Sequence, residues 1–150
     1  MITLKKGDLA PNFSAKDQDG NTHSLADYKG KKLVVFFYPK ANTPGCTAEA
    51  CDLRDNFERF TANNYAILGV SADNAKAQSN FKNKYEFQFP LLADEDKAVI
   101  EAFGVWGPKK FMGKEYDGIN RTTFVIDESG LIEEVISEVK TKNHTEQILK

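Results

Sequence analysis

The chain has 150 residues, a formal net charge of -2 and a hydrophobic share of 41 %, enough for one domain with a filled core. Its 20 basic and 22 acidic side chains nearly balance, which argues against a nucleic-acid binder. No apolar run approaches the roughly 18 residues of a membrane span, and the start, Met1-Ile-Thr-Leu-Lys-Lys-Gly-Asp, lacks the apolar stretch of a secretory signal; a cytoplasmic protein is expected.

Residues 13–24 place Asp17-Gln-Asp-Gly-Asn21 between two short extended pieces, a hairpin signal. Leu33-Val-Val-Phe-Phe-Tyr38 is a continuous apolar run stopped by Pro39 and reads as a buried central strand. From Cys46 to Ala62 the period becomes helical, with Cys46, Ala50, Leu53, Phe57 and Phe60 on one stripe. Residues 65–71 form a second buried strand. A helix over 75–85, a short strand over 89–93 and a helix over 96–103 follow. Residues 122–126 and 131–136 flank Asp127-Glu-Ser-Gly130 as strand, turn and strand, and 144–150 close the chain as a short helix. Alternating strands and helices with a late hairpin predict an α/β fold with a mixed central sheet. Ligands in such sheets bind beyond the carboxyl ends of the strands, where residues 39–46 lie.

That stretch reads Pro39-Lys-Ala-Asn-Thr-Pro-Gly-Cys46. Thr43 suits an N-cap and Pro44 the first helical position, which puts Cys46 third in the helix. The first N–H groups of a helix have no internal acceptor, and its dipole places positive charge there. Thiols at helix N-termini carry more thiolate near neutral pH, and the thiolate is the nucleophile. The alternative is a small buried hydrophobe continuing the apolar stripe. The second cysteine, Cys51, follows with four residues between them. A close pair of this kind points to redox chemistry, to metal binding or to no role at all. Zinc-type spacing is missing, because His23 and His144 lie far from the pair in sequence; both are expected on the surface. A thioredoxin-type active site would need two residues between its cysteines.

Pro39-x-x-x-Thr43-x-x-Cys46 resembles the active-site pattern of peroxiredoxins. Thr43-Pro-Gly-Cys-Thr47 with Cys51 five positions after Cys46 is similar to the bacterioferritin-comigratory (Q) branch. So are Asp94-Glu-Asp96, Phe103-Gly-Val-Trp-Gly107, Phe111-Met-Gly-Lys114 and Tyr116-Asp-Gly-Ile-Asn-Arg121, in family order over almost the whole chain. The resemblance implies a thioredoxin-like fold with an N-terminal hairpin, and a thiol peroxidase that needs no cofactor and no metal. It implies hydroperoxide substrates, with thioredoxin as reductant. By the same resemblance Cys46 is the peroxidatic cysteine, and Thr43 bonds the thiolate and orients the peroxide. Pro39 shields the sulfur from water, Arg121 supports thiolate and peroxide, and Cys51 resolves the product as an intramolecular disulfide.

An intact helix holds residues five apart roughly 8.6 Å between Cα atoms, whereas disulfides need about 4.4–6.8 Å. If Cys51 resolves Cys46, the helix start must therefore unwind in each cycle. With both cysteines in one helix and none after residue 51, a monomer is expected. Glu49, one turn after Cys46, is either an acceptor that positions Arg121 or a first-turn acid favoured by the helix dipole, and the second reading is preferred. Trp106 is expected in the core rather than in the pocket. Lys40 and Asn42 receive no role.

Overall fold

The computed structural model describes residues 3–149. A short hairpin, β1 (Ser14–Lys16) with β2 (Thr22–Ser24), opens the fold and is followed by a 3-10 turn at Leu25–Tyr28. Its loop is tied by Asp17, whose carboxylate accepts the Asp19 and Asn21 N–H groups at 2.9 and 3.0 Å, and by Gly20 at φ +82°, a region glycine enters without steric cost. Then come β3 (Lys32–Phe37), α1 (Pro44–Asp55), α2 (Phe57–Ala62), β4 (Tyr65–Ser71), α3 (Ala75–Tyr85), β5 (Leu91–Ala93) and α4 (Ala98–Ala102). The chain closes with β6 (Trp106–Phe111), β7 (Lys114–Ile119), β8 (Thr122–Ile126), β9 (Ile132–Ile136) and α5 (His144–Leu149).

Five strands form the central sheet in the order β5-β4-β3-β8-β9. β3 pairs parallel with β4 and antiparallel with β8, so the sheet is mixed as expected. The continuous apolar run of β3 has a simple cause. Leu33, Val35 and Phe37 face one core cluster with Phe103 and Phe124, while Val34, Phe36 and Tyr38 face a second with Cys46, Ala50, Leu53 and Phe81. A strand covered on both faces does not alternate.

Three differences from the sequence reading have physical reasons. The helix expected over 46–62 is broken at Asn56, whose side-chain amide donates to the Asp52 carbonyl at 2.8 Å and whose backbone N–H turns to the Leu53 carbonyl. Such side-chain competition for helix carbonyls is typical of Asn. The helix expected over 96–103 is shorter, because Lys97 sits at φ +62° ahead of it. The buried Asp94 carboxylate takes up the Ile100 N–H at 2.8 Å. The β6–β7 hairpin was not anticipated. It is mostly exposed and, among the described residues, pairs only with itself, so it carries no amphipathic pattern, and its turn uses Met112 and Gly113 at positive φ. The predicted helix end at Lys150 lies outside the described residues.

The antiparallel β3–β8 pair positions the site. Phe37 at the end of β3 lies opposite Thr122 at the start of β8. The loop leaving β3 toward α1 and the residue entering β8, Arg121, are thereby brought to the same edge. The Ala41 N–H in that loop donates to Asp73 Oδ2 at 2.7 Å. Asp73 in turn accepts from Ser71, and Gln78 links Ser71 to the Tyr38 hydroxyl.

Gly69 in β4 has no room for a side chain, since a Cβ there would lie 2.7 Å from Leu91 and 2.8 Å from Phe36. Both neighbours are fully buried. Gly69→Ala is expected to lower stability by about 1–3 kcal/mol through overpacking, read as a lower urea midpoint with an unchanged slope.

Candidate active site

Thr43 has extended backbone at φ -95°, ψ 157° and Pro44 follows as the first helical residue. The first bond of α1 runs from the Thr47 N–H to the Thr43 carbonyl at 2.8 Å. Cys46 is therefore third in the helix, as expected, and precedes the first intrahelical donor. Its side chain is buried. The Thr43 hydroxyl donates to the Lys40 carbonyl at 2.8 Å and makes no capping bond. Pro39, half-buried, begins the same loop.

Arg121 reaches this pocket from the start of β8. Its Nη2 donates to Cys46 Sγ at 3.2 Å, and its Nη1 to Glu49 Oε1 at 2.7 Å. Burial of the guanidinium works against its charge, but the Cys46 sulfur and the Glu49 carboxylate outweigh that and hold its pKa above the ordinary value. The approach depends on Gly45, where a Cβ would stand 3.1 Å from Arg121 Nη2.

Glu49 is not merely a first-turn acid favoured by the helix dipole; it is the acceptor that holds Arg121. It is wholly buried, and one carboxylate oxygen is committed to Arg121. The other, Oε2, has no hydrogen-bond partner among the described residues. His144 Nε2 lies 3.4 Å from it. The expectation of a surface His144 is likewise corrected, since the imidazole is fully buried between α1 and β8. Its Nε2 lies 2.7 Å from the Thr123 hydroxyl and its Nδ1 2.8 Å from Gln147 Oε1. His23 is also largely covered, bonding Asp17 and Tyr28 at 2.7 Å each. Sequence reasoning passed over Gly45 and misjudged Glu49 and His144. The i, i+3 spacing of Cys46 and Glu49 places both on one helix face, but nothing local announces that α5 covers it.

Both cysteines are free and sit in the one helix α1. Cys51 is half-buried, and burial pushes its thiol pKa up, with Arg54 opposing and Asp55 reinforcing the shift. Trp106 packs against the core as expected and carries the Lys97 ammonium 5.0 Å from its ring centre. Lys40 enters only through its carbonyl, which accepts from Thr43, and Asn42 accepts from the Tyr85 hydroxyl at 3.1 Å.

The family model for AhpC/TSA proteins matches residues 6–135. The chain belongs to that family, the peroxiredoxins. Within it, the chain is 50 % identical over 149 residues to a peroxiredoxin Bcp of Escherichia coli, covering 99 % of this chain and 96 % of that one. A structure of Xylella fastidiosa PrxQ superposes with a TM-score of 0.91 at 33 % identity, over 97 % of this chain and 93 % of the other. A Xanthomonas campestris bacterioferritin comigratory protein, described for its alkyl peroxide reduction activity, gives 0.87 at 35 % identity, over 93 % and 88 %. The resemblance to the Q branch and the thioredoxin-like fold it implied are both correct. As a peroxiredoxin the protein is a peroxidase. Among the described residues no helix is long and apolar enough to cross a membrane.

Burial raises the Glu49 pKa from 4.5 to about 7, with Arg121 opposing. Between those values the folded protein keeps a proton that the unfolded chain has released, so stability falls as pH rises through the window. Glu49→Gln keeps an acceptor for Arg121 and cannot ionise. Relative to this variant, the wild type is expected to lose at least about 1 kcal/mol of unfolding free energy between about pH 5 and about pH 8, measured by urea unfolding at both values.

Proposed function

We propose that the peroxidase reduces hydrogen peroxide and organic hydroperoxides through Cys46, resolves the product on Cys51, and is recycled by thioredoxin. The observation that carries this reading is the Arg121 guanidinium donating to Cys46 Sγ while its other nitrogen is held by the buried Glu49. A thiolate at that position gains a charge-assisted donor, and the donor is already oriented before peroxide arrives.

In the proposed cycle the Cys46 thiolate attacks one peroxide oxygen. The O–O bond breaks, sulfur gains the S–O bond, and the leaving hydroxide or alkoxide takes up a proton to become water or alcohol. Arg121 stabilises the charge that moves onto the leaving oxygen. Thr43 orients the peroxide, and its hydroxyl can do so by rotating from the Lys40 carbonyl. Pro39 keeps bulk water from the sulfur. The sulfenic acid on Cys46 then condenses with the Cys51 thiol, releasing water and forming the disulfide. Two electrons from a thioredoxin dithiol return both cysteines to thiols.

The helix spacing of Cys46 and Cys51 is too long for a disulfide, so α1 must open at its start. Opening withdraws Cys46, Ala50 and Leu53 from the core cluster they share. It also frees Cys51 from the burial that keeps its thiol protonated. Because both cysteines belong to one helix, the cycle needs no partner subunit, and the reading includes a monomer working in the cytoplasm.

Cys46→Ser is expected to abolish peroxide turnover in a thioredoxin-coupled assay, because a serine hydroxyl is barely ionised near neutral pH; substantial residual turnover would remove Cys46 from its role. Hydrogen exchange is expected to show lower protection of amides 47–54 in peroxide-treated protein than in the reduced form, whereas equal protection would rule out opening of α1.

A further inference from the structure

The peptide between Lys40 and Ala41 is held at both of its polar ends. Its carbonyl, on Lys40, accepts the Thr43 hydroxyl at 2.8 Å. Its N–H, on Ala41, donates to Asp73 Oδ2 at 2.7 Å. One planar unit thus joins a carboxylate just after β4 to the hydroxyl just ahead of α1. The bond to the carboxylate is charge-assisted, and hydrogen bonds in a chain polarise one another. Asp73 therefore also strengthens the grip of the Lys40 carbonyl on Thr43. Between them Asn42 turns at φ +61°, a conformation Asn tolerates, so the direction in which the chain enters α1 depends on where this peptide is pinned.

The carboxylate is itself aimed by a buried relay. A carboxylate oxygen only accepts, so the Ser71 hydroxyl, 2.6 Å from the same Oδ2, must donate to it. The Ser71 oxygen is then the acceptor for Gln78 Nε2 at 3.0 Å. The second hydrogen of that nitrogen goes to the Leu92 carbonyl at 2.7 Å, which fixes the way the amide faces. Gln78 Oε1 is left for the Tyr38 hydroxyl at 2.6 Å. Burial above all, with the charges of Asp73 and Cys46 adding to it, keeps that hydroxyl in its protonated, donating form. Asp73 Oδ2 thus receives one hydrogen on each of its two lone pairs, and every donor along the relay has its acceptor. Tyr38, Ser71 and Gln78 are fully buried, which shields the relay from bulk water.

We infer that Asp73 is a positioning residue of the peroxidase reaction, holding Thr43 and the loop from Pro39 in the arrangement that receives the peroxide. The inference rests on the reading of Thr43 as the residue that orients the peroxide. Asp73 acts through the Lys40–Ala41 peptide rather than on the sulfur. The sign of its effect separates positioning from charge. A carboxylate near a thiolate disfavours the thiolate, so loss of the Asp73 charge by itself would leave the peroxide rate equal or faster. Loss of the grip on the loop slows the reaction, since a misplacement of about 1 Å can cost about 10²-fold.

The test is a double-mutant cycle on the reduced full chain, reading the second-order rate of Cys46 oxidation by hydrogen peroxide in stopped flow. Asp73→Ala is expected to slow this step by at least about tenfold. Asp73→Asn can offer one oxygen to both the Ala41 N–H and the Ser71 hydroxyl without a charge, and is expected to stay within about threefold of wild type. In a Thr43→Val background, itself slow, Asp73→Ala is expected to cost less than about threefold more, because both changes remove the same contact chain. Deuterium exchange of the Ala41 amide is expected to quicken in Asp73→Ala and to stay as in wild type in Asp73→Asn. If Asp73→Ala does not fold, Asp73→Glu replaces it with the same expectations, since it keeps the charge and displaces the oxygen by one methylene. A wild-type rate in Asp73→Ala, a slow Asp73→Asn, or the full loss repeated in the Thr43→Val background would overturn the inference. A slow Thr43→Val beside a wild-type rate in Asp73→Ala leaves the role of Thr43 standing and removes the inference alone. A wild-type rate in Thr43→Val fails the role proposed for Thr43 and takes the inference with it.

Discussion

A single guanidinium holds this site together. Arg121 spends one nitrogen on Cys46 and another on Glu49, and all three groups lie mostly out of water. A charge in such a place is tolerated only when it is paired and hydrogen-bonded. Whatever changes the charge on sulfur therefore changes what Arg121 requires of Glu49. The site is a small buried charge balance, and the Cys46 sulfur is one of its members.

Each part of that balance is delivered by a different stretch of the sheet. The end of β3 launches the loop and α1, and antiparallel pairing returns the start of β8 to the same edge. Directly before β8, the Asn120 N–H closes on the Val105 carbonyl at 2.7 Å, so the base of the β6–β7 hairpin fixes where Arg121 emerges. The terminal helix α5 then covers Glu49 and supplies His144. An exposed hairpin and a six-residue helix thus act on the site by placing residues rather than by enlarging the core.

The helix α1 carries conflicting demands. Its apolar face, Cys46, Ala50 and Leu53, belongs to the core, and Asp52 anchors α5 upon it. Yet the proposed disulfide requires its start to open. Its construction limits the cost, because the first N–H groups hold no helical bonds and the helix already stops at Asn56. Glu49 adds a second tension, a buried oxygen without a hydrogen-bond partner among the described residues. Local departures from ideal satisfaction of this kind concentrate where proteins do chemistry.

The amino-acid sequence determined the local features. Continuous apolar runs located β3 and β4, because a strand buried on both faces is apolar throughout, and the helical period located the apolar face of α1. Thr43-Pro44 set the helix start, which put Cys46 at its third position, since the fixed φ of a proline at the first helical position is a local property. The motif set around Pro39, Thr43, Cys46 and Arg121 pointed to a peroxiredoxin. The break at Asn56 and the β6–β7 hairpin escaped, because one rests on a single side-chain bond and the other on an exposed surface without pattern. Only the tertiary structure decided the standing of Glu49 and His144. They lie 95 positions apart along the chain, and burial and hydrogen-bond partners are relations between elements that no local pattern encodes. Arg121 stands between the two cases. Its residue type is ordinary at a strand start, and its contact with sulfur exists because antiparallel pairing brings the beginning of one strand to the end of another.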